Sequence, residues 1–142
     1  MSVFKEEITL ANAVDISNAR NGLITEAKIR KITIDAMPDT GARTETRGLL
    51  VINEETRQKL GLAIMETSES TLADGKIDTY EVTEGVNIRW KNRSTVLPAV
   101  VVPDGKYILL GALPLEAMDL MVDPVHGQLV GVHGAEPLHV LC

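Results

Sequence analysis

At 142 residues the chain has the length of one domain, residues 1–142, and its 44% hydrophobic content is enough to build a core. A formal net charge of −6 with scattered arginines argues against a broad phosphate-binding face, and so against a nucleic-acid partner. The single cysteine, Cys142, excludes an internal disulfide or a cysteine metal cluster. No stretch reaches the roughly 18 apolar residues of a membrane span, and Lys5, Glu6 and Glu7 stand where a signal peptide needs an apolar run, so a cytoplasmic chain without a membrane partner is expected.

Taken from the N-terminus, 7–13 and 22–37 read as strands joined by a polar turn. In the second, Ile32, Ile34 and Ala36 alternate with Thr33 and Asp35, the period of a strand with one buried face. That strand runs into Pro38-Asp39-Thr40-Gly41-Ala42, a polar stretch from Arg43 to Gly48, and the apolar run Leu49–Ile52. Asn53 has the chemistry of a helix N-cap, Glu54 and Glu55 suit the first turn, and Gly61 is the expected stop after Leu60.

Ala73-Asp74-Gly75-Lys76 marks a hairpin tip. Val86, Ile88 and Trp90 form an alternating strand, and 95–102 reads as one β-branched run. A turn at 103–106 precedes a short buried strand, 107–110, ending at Gly111. One or two helical turns are expected over 113–120, and a final hairpin from 121–123 and 128–133. Only four residues are aromatic (Phe4, Tyr80, Trp90 and Tyr107), so the core must be largely aliphatic. Many short strands with little helix define an all-β class.

An isolated Asp-Thr-Gly is most often a plain turn. Here it ends a strand, precedes an apolar run and a capped helix, and is followed by a glycine-tipped hairpin and a second apolar run closed by glycine. The blocks Asp39-Thr40-Gly41-Ala42, Leu50-Val51-Ile52 with 53–62, Leu72-Ala73-Asp74-Gly75, and 108–111 through 115–118 to 122–124 resemble the retropepsin-like aspartic peptidases, in particular their small single-domain bacterial members. The resemblance implies a closed β barrel with one or two short helices and an active site at a homodimer interface. It implies that Asp39 is catalytic, paired with Asp39 of a second copy. Thr40 would hydrogen-bond across the axis, Gly41 would let backbone approach substrate or water, and Ala42 would line the cleft. Asp74 and Gly75 would tip a flap over bound peptide, and Gly111 would support the catalytic loop. The C-terminal segment 136–142 would form an intersubunit strand.

The chemistry needs two carboxylates side by side. Like charges that close cannot both ionise, so they share one proton across a bound water. One acts as base toward the water while the protonated one polarises the peptide carbonyl. A chain with one Asp-Thr-Gly obtains the second carboxylate through a two-fold axis. Peptides or proteins are then the substrates, neither metal nor cofactor is needed, and activity peaks on the acidic side of neutral.

Two features depart from the family pattern: the six-residue stretch 43–48, which reads as an extra loop, and Pro38, which removes a backbone donor beside the catalytic residue. They keep open a rival reading, a catalytically inactive peptide-binding or dimerisation module that holds an extended peptide by strand addition. His126, His133 and His139 fit no zinc-binding spacing, and no Gly-x-Ser-x-Gly elbow is present.

Overall fold

Alternation in the first strand decides which face becomes core. In a computed structural model of the chain, which describes residues 4–39, 47–71 and 73–133, β1 (Glu6–Asn12) buries Ile8 and Leu10. It pairs antiparallel with β2 (Lys31–Pro38), Glu6 facing Ala36 and Ala11 facing Lys31. On its other side lies β6 (Val86–Trp90), whose inward residues Val86, Ile88 and Trp90 are all buried. These residues join Leu50, Ile52, Leu60, Leu110, Leu115 and Met118 in one core cluster, aliphatic apart from Trp90 among its buried members.

Between β1 and β2 the structure corrects the sequence. The expected polar turn is a helix, α1 (Ala13–Arg20), and β2 begins only at Lys31, after a 3-10 turn at Glu26–Lys28. No apolar stripe announces this helix; its polar contacts hold it. Asn12 Oδ1 accepts the Asp15 N–H at 3.0 Å, and Asn12 Nδ2 donates to the Leu60 carbonyl at 2.9 Å. Asp15, only 6% exposed, accepts from Arg30 three times: from Nε at 2.8 Å, from Nη2 at 2.9 Å and from the backbone N–H at 3.0 Å.

The Arg30 guanidinium holds the Asp15 carboxyl below the usual carboxylate range, its hydrogen bonds outweighing the opposing effect of burial. A carboxyl with a depressed folded pKa contributes stability above its unfolded pKa of about 4, and loses that contribution as pH falls through the folded value. Asp15→Asn is therefore expected to lower the unfolding free energy by about 2 kcal/mol at pH 7. The difference from wild type should shrink below about pH 4. Urea melts at both pH values check this; a constant difference would show that the charge is not involved.

Further along, β3 (Leu50–Ile52) leads into α2 (Glu54–Leu60). Its ends fall where the sequence placed them: Asn53 Oδ1 accepts the Thr56 N–H at 2.8 Å, and Gly61 closes the helix at φ 62°. β4 (Ile64–Thr71) and β5 (Ile77–Thr83) form the expected hairpin. The run 95–102, expected as one strand, is divided by Pro98, which cannot donate to a ladder. Before it, β7 (Arg93–Leu97) pairs with β6. After it, β8 (Ala99–Val101) lies parallel to β3 and antiparallel to β5. The chain continues through β9 (Ile108–Leu110), α3 (Ala112–Ala117) and a separate hairpin of β10 (Leu120–Asp123) and β11 (Gln128–Gly131).

The main sheet has the order β4-β5-β8-β3-β9-β2-β1-β6-β7. Across the described residues the protein is mostly β with three short α-helices, where one or two were expected. Among the described residues β4 and β7 are the two ends of an open ladder, and the barrel closure that the family resemblance implies is not shown there. Strand number and alternation say nothing about whether the first and last strands of a sheet meet; tilt and stagger decide it. Among the described residues no helix is long and apolar enough to cross a membrane.

Candidate active site

Asp39 stands where β2 gives out. β2 is parallel to β9, with Ala36 opposite Ile108 and Pro38 opposite Leu110. β9 is in turn antiparallel to β3, with Leu50 opposite Leu110 and Val51 opposite Leu109. The chain thus leaves β2 at Asp39 and re-enters the sheet at β3 with β9 inserted between the two. Both stems of the intervening loop are tied to the turn from β9 into α3. The Asp39 N–H donates to the Leu110 carbonyl at 2.9 Å, and the Leu113 N–H donates to the Gly48 carbonyl at 2.9 Å.

Gly111 sits between these two ties and is buried. A Cβ there would lie 2.5 Å from the Gly48 carbonyl carbon and closer still to the carbonyl oxygens of Gly48 and Leu49. The backbones approach so closely that only glycine fits. Pro38, which the sequence marked as a lost donor, lies two residues beyond the last β1 partner of β2 at Ala36, so that ladder loses no bond. Asp39 itself is half-buried, within reach of solvent at the end of an interior strand.

Thr40, Gly41 and Ala42 lie outside the described residues, as do 43–46 of the extra loop, the 136–142 segment and His139. At the predicted flap tip, Asp74 Oδ1 accepts the Lys76 N–H at 3.0 Å and Gly75 takes φ 86°, a turn whose geometry requires glycine or a strained substitute. The tip is exposed. Of the residues singled out from sequence, the fold brings Asp39 and Gly111 together through Leu110, and carries Asp74 and Gly75 on the far end of the β4–β5 hairpin.

Arg47, visible in the sequence among the scattered arginines and within the extra loop, connects the loop stem to the β4–β5 hairpin. It ends the loop next to Gly48, adopts φ 56°, and reaches β4. A positive φ at a long side chain has no sequence signature beyond the neighbouring Gly48, so only the fold could disclose it.

The histidines are placed elsewhere. His126 Nδ1 lies 2.7 Å from Asp123 and His133 Nδ1 2.7 Å from Asp119, at opposite ends of the β10–β11 hairpin, with both rings exposed. The His126 hydrogen bond holds the Asp123 carboxyl below its usual range. Among the described residues no group of three or more His, Cys, Asp or Glu is gathered as a metal site would require.

No protein-family model matches the chain, and no curated protein matches it either.

Proposed function

We propose that the chain is a retropepsin-like aspartic endopeptidase that works as a homodimer, with Asp39 of each copy as the catalytic residue. The observation that carries this reading is the setting of Asp39, at the end of β2 with its backbone bonded to Leu110 of the inserted strand β9. A half-buried carboxylate on a loop whose two stems are pinned to one turn is held in place without being sealed from water. The β4–β5 hairpin, with its glycine-tipped exposed turn, supplies a flap that can exclude water when peptide is bound.

In this mechanism the ionised Asp39 takes a proton from the bound water as its oxygen adds to the peptide carbonyl carbon. The protonated Asp39 of the other copy gives its proton to the carbonyl oxygen. The tetrahedral adduct then collapses with proton transfer to the amide nitrogen, breaking the C–N bond and releasing the two peptides. The pair must carry one proton between them, so activity is highest on the acidic side of neutral.

Cleavage of a mixed peptide library between about pH 4 and 7, with the assembly state followed by sedimentation, tests the reading. The expected result is cleavage by a dimer, stronger at the acidic end. A well-folded dimer that cuts nothing at any pH would leave the chain as a peptide-binding or dimerisation module.

A further inference from the structure

Among the described residues, Arg47 at the end of the loop that follows Asp39 reaches the β4–β5 hairpin. Directly opposite residues of an antiparallel pair share a face, so Glu66, opposite Val82, and Ser68, opposite Tyr80, lie on the same side of the hairpin. Val82 is buried on that side with Leu49 and Val100, and Tyr80 packs against them. The face carrying Glu66 and Ser68 therefore turns toward Leu49, two residues beyond Arg47. Arg47 spans the gap: its Nη1 lies 2.8 Å from Glu66 Oε1, and its Nη2 donates to Ser68 Oγ at 3.1 Å. One guanidinium thus grips two successive residues on one face of β4, the forked geometry at which arginine surpasses lysine. The base of that grip is firm, because the Gly48 carbonyl beside it accepts from Leu113.

We infer that Arg47 is a positioning residue that latches the flap hairpin to the stem of the loop carrying Asp39. Both partners are about half exposed, 49% for Arg47 and 48% for Glu66, so the latch opens and closes readily. It sets how closely the hairpin lies against the stem at Arg47 and leaves the fold intact when released. Its effect on catalysis rests on the peptidase reading; its effect on the hairpin does not.

Amide hydrogen exchange on the full-length chain tests it with Arg47→Ala, Arg47→Lys and Glu66→Gln. Arg47→Ala and Glu66→Gln are each expected to speed exchange in β4 and β5 by about threefold, the scale of an exposed ion pair, with β1 and α2 unchanged. Arg47→Lys, which keeps the charge but loses the fork, should fall between them and wild type, and the Arg47→Ala/Glu66→Gln pair should exceed neither single change. Unchanged exchange in the hairpin overturns the latch, whatever the enzyme does. Where peptide cleavage is measurable, Arg47→Ala should raise KM by about the same threefold with kcat nearly constant, as loss of a closing contact does. A wild-type chain that cleaves nothing but shows the exchange pattern retains the latch and loses the peptidase reading.

Discussion

Asp39→Asn is expected to abolish peptide cleavage, by about three orders of magnitude or more, while the protein folds and assembles as before. The size follows from the proposed chemistry: in a site shared by two copies the substitution would remove both carboxylates at once, and general acid–base contributions run to about 10²–10⁴-fold. Asparagine has nearly the volume of aspartate, and the position is only half-buried, so the unfolding free energy should move by less than about 0.5 kcal/mol. Mixing the two proteins sharpens the test. If the dimer is the working unit and subunits exchange, an equal mixture contains about one quarter wild-type pairs, so activity should fall to about a quarter instead of half. Cleavage by Asp39→Asn at the wild-type rate would remove Asp39 from the mechanism.

The second large effect is expected at Gly111. Gly111→Ala should destabilise the protein by about 3 kcal/mol, because a methyl group there meets the backbone carbonyls of Gly48 and Leu49. Those carbonyls cannot retreat cheaply, since Gly48 accepts from Leu113 and Leu49 leads into β3. Gly75→Ala provides the contrast. A Cβ at this hairpin tip meets no atom of the described residues within 4 Å, and the cost is that of the left-handed conformation, about 1 kcal/mol. Urea melts of the two variants check the ordering. Equal stability for both would mean that the stems around Asp39 are not closely packed.

These predictions draw unequally on sequence and fold. Asp39 could be singled out because a strand of clear alternation ended at it and an apolar run followed. What made the position informative, the insertion of β9 between β2 and β3, joins residues about sixty to seventy positions apart, and local patterns do not record which strands will meet. The Arg47 contact was hidden for the same reason: its charge was visible and its partners on β4 were not.

Where local chemistry decides, the sequence alone was sufficient. Asn53 and Gly61 bounded α2 because a side-chain cap and a left-handed glycine act within a few residues. The hairpin tip at 73–76 and the aliphatic core followed from turn chemistry and alternation. Tertiary structure alone decided the rest. It made 13–20 a helix through the part-buried Asp15–Arg30 contact, divided 95–102 at Pro98 into strands with different neighbours, left the sheet order open between β4 and β7, and set β9 beside Asp39. Each of those outcomes depends on partners far along the chain, whose meeting is set by the packing of the whole molecule and not by the residues on either side.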